Sequence, residues 1–399
     1  MRKGISVVLI LVITGISFAG AEVFRFKYNE GEKYKINSLV NENVYTNGIL
    51  NNRAQLLYKI AVQVKNATAN SGLIEATFLI SHRASDNHSI YQWDEEYSSV
   101  SRRDEYGRYT IDPKYYMPVV RNVPTFPEGD IKPGSTWSLP GEEVQDFKEF
   151  GINLPFRIPI EVEYRYIGKT EKDGQELDLI SMKYRVAYKP GGIDRNAAMY
   201  PIRVSGSSDQ LLYWDNEKGK YYAFEEKFDF IYYFNTGDII EYEGDGTAKL
   251  IESSLMNKDE LVDRIKKELS EKGVEDTEVR KEEKGVTISL EDIKFLPDSD
   301  ILLDSEKRKL ERIAEILKTI PDRDLVITGH TALAGTEEGR QQLSIERAGA
   351  VGDYLLQLGV RLPEHMLIRG MGAGQPIGDN RTEEGRRKNR RVEITILEN

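Results

Sequence analysis

From Glu22 to about Leu250 the chain alternates apolar and polar residues with a period of two. In KIAVQVK, Ile60, Val62 and Val64 fall between Lys59, Ala61, Gln63 and Lys65; in ISMKYRVAY, Ile180, Met182, Tyr184 and Val186 fall between Ser181, Lys183 and Arg185. Successive side chains of a strand point to opposite faces, so this pattern describes half-buried strands and gives a helix no continuous apolar stripe. IEVEYRY and KFDFIYYF repeat it with aromatic residues, most simply read as core. Asn47-Gly48, Asp173-Gly174 and Asn235-Thr236-Gly237 supply hairpin turns. Residues 22–250 are therefore expected to be an antiparallel β-rich domain. Proline is dense between Pro113 and Pro140, which suggests a long irregular connection and room for a division into two subdomains.

The first residues pair Arg2 and Lys3 with an apolar run from Ile5 to Ile16 and a small-residue site at Ala19-Gly20-Ala21. Residues 1–21 read as a secretory leader, and no later segment is long and apolar enough for a membrane helix. The chain has no cysteine, which removes disulfides, thiolate metal sites, thiol catalysis and a lipid-accepting cysteine. A net charge of -11 argues against a general nucleic-acid binder, whose affinity rests on excess Lys and Arg. The basic run Arg386, Arg387, Lys388, Arg390 and Arg391 does not change that expectation in an exported protein.

Beyond Leu250 the period changes. Asn257 caps a short helix with Leu261, Ile265 and Leu269 on one face and Gly273 as its stop, and a hairpin turning near Lys284-Gly285 follows. Residues 251–285 are expected to form this helix-and-hairpin connector. After it come an amphipathic helix carrying Leu310, Ile313, Ala314 and Leu317, the strand DLVITG, a helix from about Thr336 to Leu358 closed by Gly359, and the strands HMLIRGMG and RRVEITIL. The fold class is α+β and multidomain, with an α/β sandwich at the C-terminal end.

Four spaced elements of this last region, GHT at 329–331, LSIERA at 343–348, GMGAGQP at 370–376 and NRTEEGRRKNRRVEI at 380–394, occur together and in order. Residues 286–399 resemble the OmpA C-terminal-like domain, the peptidoglycan-binding module of Gram-negative envelopes. The resemblance implies a βαβαβ fold that holds the diamino acid of a wall stem peptide without covalent chemistry or a cofactor. In that family an aspartate after Gly-His-Thr takes the ligand's ammonium, and an arginine in the LSxxRA element takes its carboxylate as a fork. Here the arginine is Arg347 and the aspartate position holds Ala332. Arg340 stands where the family commonly has asparagine, and Leu296 where it often has aspartate. Thr331, Ala332, Arg340, Leu343, Arg347 and Arg391 are the residues expected at the site. Arg340 and Arg347, seven residues apart, share one helix face.

Each of these residues has a plainer reading. Arg347 can be a solvated helix charge, and Arg340 can be absorbed by Glu337 three residues before it. His330, in a chain with four histidines, reads as structural. Gly370, Gly372 and Gly374 read as turn geometry, since no helix or acidic partner of a dinucleotide unit follows them. With no G-x-S-x-G, no H-E-x-x-H and no metal-ligand set, the expectation is a non-enzymatic envelope protein that binds peptidoglycan weakly or with altered specificity, or meets other envelope proteins. The alternative is an outer-membrane β-barrel tethered to the wall; the proline-dense stretch and the charged residues on the strands weigh against it.

Overall fold

The computed structural model describes residues 20–83, 89–191, 197–252, 256–291, 293–296 and 299–398. All but the last two residues of the expected leader lie outside them. The alternating region forms β1 (Lys33–Thr46), β2 (Ile49–Thr68), β3 (Ser71–Arg83), β4 (Tyr91–Asp104), β5 (Tyr109–Ile111), β6 (Val120–Arg121), β7 (Thr136–Phe147), β8 (Ile152–Lys172), β9 (Gln175–Tyr188), β10 (Pro201–Asp215), β11 (Lys220–Phe234) and β12 (Ile239–Glu252). They pair antiparallel in the order β5-β4-β3-β2-β1-β12-β11-β10-β9-β8-β7-β6, so the first long strand is laddered to the last. Local chemistry sets the register. Asn47 and Gly48 have φ of 52° and 79°, and Asp173 and Gly174 have 52° and 75°, the left-handed pair that a two-residue hairpin needs.

The sheet curls on itself, and its two long edges, β4 and β7, face each other. The Tyr97 hydroxyl on β4 stands 3.3 Å from the Asp146 carboxylate on β7, and Lys148 lies 3.9 Å from the ring centre of Tyr116. The N-terminal segment and the proline-dense stretch fill the interior. Phe24, Phe26, Phe126 and Ile131 are buried against Tyr164, Tyr166 and Trp214, with Phe26 edge-on to Trp214 at 4.8 Å. The stretch expected to separate two subdomains is thus packed inside one sheet: its prolines interrupt strands, and its aromatic and aliphatic side chains supply core.

The C-terminal part comprises α1 (Lys258–Glu271), β13 (Thr277–Glu282), β14 (Gly285–Glu291), α2 (Asp304–Lys318), β15 (Leu325–Gly329), α3 (Glu337–Gln357), β16 (Met366–Gly370), α4 (Glu383–Asn389) and β17 (Arg391–Leu397). The sheet order is β13-β14-β17-β15-β16, with β15 and β16 parallel. Asn257 and Thr336 cap α1 and α3 through their side chains, accepting from Glu260 N and Gly339 N. The helices cover one face: Leu310, Ile313 and Leu317 from α2 and Ala348, Val351 and Leu355 from α3 meet Ile288, Ile327, Ile368 and Ile394. The helix and hairpin of the connector enter this same core through Leu261, Ile265, Leu269 and Val279.

The other face of this sheet is covered by the curled sheet. Val326, Leu367 and Leu397 are buried against Leu57, Tyr91 and Trp93. The start of β4 also extends the C-terminal sheet, Tyr91 and Gln92 pairing in parallel with Leu367 and Ile368. At the centre of this seam the Asp324 carboxylate lies 3.4 Å from Lys35 Nζ, 3.0 Å from Lys59 Nζ and 2.7 Å from His365 Nδ1. Burial opposes its charge, but the hydrogen bond with His365 and the two lysines outweigh that and hold the carboxyl well below the usual range. Desolvation acts the other way on Lys35, whose pKa is lowered.

Asp324→Ala removes the acid that the buried ammonium groups of Lys35 and Lys59 share. The expected loss is about 3–5 kcal/mol of global stability by urea denaturation at pH 7. A loss below about 1 kcal/mol, the value of an exposed pair, would show that the seam carries little weight.

Candidate functional site

The residues expected at the site gather where β15 and β16 end beneath α3. Both strands end in glycine because α3 crosses too close for a side chain: a Cβ on Gly329 would strike the Ser344 backbone, and one on Gly370 would meet Ser344 and Ile345. Ser344 is buried and ties the layers, donating to Gln341 O at 2.7 Å and accepting from Gly372 N at 3.0 Å. The loop after β15 is then fixed by backbone bonds. His330 N donates to Arg391 O at 2.9 Å and Thr331 N to Gly372 O at 2.8 Å.

The stretch after Asn380 supplies the other wall, and its residues are largely structural. Asn380 accepts from Leu333 N at 3.1 Å and from Asn389 Nδ2 at 2.9 Å. Buried Asn389 accepts in turn from Ile377 N and Gly378 N, both at 2.8 Å, and donates to Gly378 O at 2.9 Å. Thr382 caps α4 through a bond from Gly385 N at 3.0 Å. The seven-residue α4 was not expected from the sequence; Thr382 as a cap followed by Glu383 and Glu384 in the first turn was the available signal.

Arg390 and Arg391 point in opposite directions, as strand alternation requires. Arg390 pairs with Glu383 at 2.8 Å. Arg391 is buried, its Nε 2.6 Å from Glu393 Oε1 and its Nη2 3.2 Å from Gln375 O. Glu393 also accepts from Arg280 at 2.7 Å and stands 3.5 Å from His330 Nε2. Burial works against this carboxylate, yet the nearby His330 ring and the hydrogen-bonded Arg391 and Arg280 hold it below the usual range. Desolvation lowers the His330 pKa, which keeps the imidazole neutral. Glu393 is the organising acid of the site, and it shares a strand face with Arg391 two residues away; that spacing was the signal for it.

Of the expected site residues, Thr331 and Ala332 are buried in the loop beside the start of β17, where Arg391 lies. Arg340 turns back to the same loop and donates to Gly335 O at 2.6 Å; this carbonyl, rather than Glu337, receives its charge. Leu343 and Arg347 are half-buried on the same helix, and the Arg347 guanidinium lies 5.0 Å from the ring centre of Phe295. Leu296, the next residue, is 42% exposed. Arg340 and Arg347 thus stand on α3, Arg391 is already bound to Glu393, and Ala332 contributes a methyl group.

Residues 294–390 match the OmpA family. The OmpA-like domain is 41% identical over 104 residues to the peptidoglycan-binding protein ArfA of Mycobacterium tuberculosis, a match that covers 26% of this chain and 32% of that protein. It is 35% identical over 100 residues to outer membrane protein A of Bordetella avium, covering 25% of this chain and 51% of that one. The chain therefore spans about a third to a half of the length of these relatives. Among solved structures, the cell wall anchor of the T6SS from Pseudomonas aeruginosa is 26% identical, with 33% of this chain and 96% of that chain covered and a TM-score of 0.30.

Replacing Glu393 by Gln keeps the shape and leaves buried Arg391 without its acid and Arg280 with Glu282 alone, for an expected loss of about 3 kcal/mol at pH 7. The sign with pH follows from the depressed carboxyl: its stabilisation is present above the unfolded value of about 4.3 and is lost as pH falls through the lower folded value. Neutral His330 adds a loss that begins below about pH 6.5, where the unfolded chain takes up its proton. Melting temperatures from pH 7 to 3 should fall more steeply for the parent than for Glu393→Gln; parallel curves would remove Glu393 from this role.

Proposed function

We propose that this is a non-enzymatic cell-envelope protein whose OmpA-like domain binds peptidoglycan non-covalently, with a preference altered from that of its relatives. The observation that carries the reading is the match over residues 294–390 with the arginine of the LSIERA element, Arg347, in place on α3. Relatives that share the domain carry peptidoglycan binding or the outer membrane in their names. The two-part organisation is our reading as well: a leader over 1–21, a β-rich module over 22–250, a helix and hairpin over 251–285 and the OmpA-like domain over 286–399. Arg157, Glu161, Glu163 and Arg165 stand on the outward face of β8, which suits water and not the apolar belt of a membrane barrel. No helix among the described residues is long and apolar enough to cross a membrane.

The altered preference rests on Ala332. A zwitterionic diamino acid needs an acid for its ammonium, and the methyl of Ala332 supplies none. Arg340 and Arg347 favour the carboxylates of the stem peptide, or a wall whose diamino acid lacks the usual distal group. Losing one partner of a desolvated charge pair costs about 2–5 kcal/mol, so free diaminopimelate is expected to bind poorly.

Purified sacculi test the reading. The full chain should co-sediment with wall material, and Arg347→Ala should reduce the bound fraction; an unchanged fraction for a folded Arg347→Ala would contradict it. For specificity, Ala332→Asp should raise diaminopimelate affinity, with about tenfold, or 1.4 kcal/mol, as the scale of the gain. Adding Arg340→Asn should exceed the sum of the two single changes by about 0.5–3 kcal/mol, because the residues share one charge network. Calorimetry that finds a folded double variant no better than the parent would mean that pocket shape, not charge, has changed.

A further inference from the structure

Between the plug of the curled sheet and its far end lies a cavity of about 540 Å³, within the range of ligand sites. Its walls are the inward residues of the strands, among them Ile36, Ile60, Val62, Ile74, Met182 and Leu212. A core of this size would ordinarily be filled, since well-packed interiors hold few voids larger than a water molecule. One end is sealed: Arg103 is buried with its guanidinium 3.6 Å from the ring centre of Phe26 and 4.8 Å from that of Tyr109.

The other end differs in kind. Ile49 and Leu50 open β2, Ile239 opens β12, Ile202 lies at the start of β10 and Leu154 near the start of β8. The pairings of β1 with β2, β11 with β12, β10 with β11 and β7 with β8 put all five at the same end of the sheet. Their exposures are 69, 37, 36, 49 and 74% in the order just given, whereas the outward faces of the strands are rich in charge. An apolar cluster on one rim is a surface that an apolar molecule would meet first. Phe150, Tyr232 and Tyr242 line the cavity on that side.

The charges in the wall select the head group. Glu42, Asp146, Glu149, Glu143 and Glu226 line the cavity, against the single basic residue Arg103 among the described residues. Glu143 accepts from Tyr184 at 2.5 Å and from Gln145 at 3.2 Å; Glu226 accepts from Ser208 at 2.7 Å and Gln210 at 2.9 Å. Asp146 is paired with Lys148 at 3.0 Å, and the rest of the wall offers an anion little positive charge while it suits a cation or a neutral group that exchanges hydrogen bonds. Burial pushes Glu42 and Glu143 up to about 7, so they can donate as well as accept.

We propose that the curled sheet binds a long-chain amphiphile with an uncharged or cationic head, admitted through the apolar rim. This site is separate from the wall-binding one and does not depend on it. The test uses residues 22–399 and the neutral fluorescent probe N-phenyl-1-naphthylamine. The probe should bind saturably, and monoolein and oleylamine should displace it at concentrations about tenfold or more below those needed with oleate, the scale of one unfavourable charge contact. Ala76→Phe and Ser99→Phe, which fill the cavity, should each weaken probe binding about tenfold while the circular dichroism spectrum is retained. Absence of saturable probe binding, displacement by oleate as effective as by monoolein, or full binding by folded cavity-filled variants would each overturn the proposal. If the filled variants do not fold, the ranking of the three displacing lipids on the parent decides it.

Discussion

Asp324 faces two lysines of one sheet and a histidine beside another, and the whole arrangement depends on that buried contact. A carboxylate taken out of water is tolerated only when opposite charge and hydrogen bonds replace its hydration. Lys35 and Lys59 do so from the curled sheet and His365 from the C-terminal part, which fixes where the two meet. Around the ionic centre Val326, Leu367 and Leu397 find cover that helices on the opposite face cannot give. An α/β sheet with helices on one side leaves its second face to be buried, and here the β-rich region buries it.

The curled sheet has the complementary problem of filling its own inside. Two segments that carry little regular structure do this, the residues before β1 and the proline-dense stretch, and they fill one end only. What remains is a cavity with an aromatic seal below and exposed aliphatic residues above. At the OmpA-like domain Asn380, Asn389 and Glu393 likewise direct their hydrogen bonds to loops and arginines.

Much of this was legible in the sequence because its causes are local. Asn47-Gly48 and Asp173-Gly174 turn as their chemistry requires, Asn257 and Thr336 cap helices, and period two marks the strands. The rest depended on partners distant in the chain. Lys59 was visible only as a polar member of an alternating strand, and docking onto Asp324 buries it together with Lys35. Alternation shows that a strand has two faces without showing what covers either. The proline-dense stretch looked like a divider because proline breaks ladders, while its destination was set by Phe126 and Ile131. At the site the motif residues were visible, but the fold of Arg340 onto Gly335 O and of Arg391 onto Glu393 followed from geometry.

The two parts share one buried seam centred on Asp324 and are expected to open together. Native-state hydrogen exchange at low guanidinium tests it most directly, read at the backbone amides of residues 89–93 and 366–370. Protection of both segments should be lost together, with the free energy of global unfolding. Exchange of these amides through a low-energy opening, while the cores of both parts stay protected, would contradict the account.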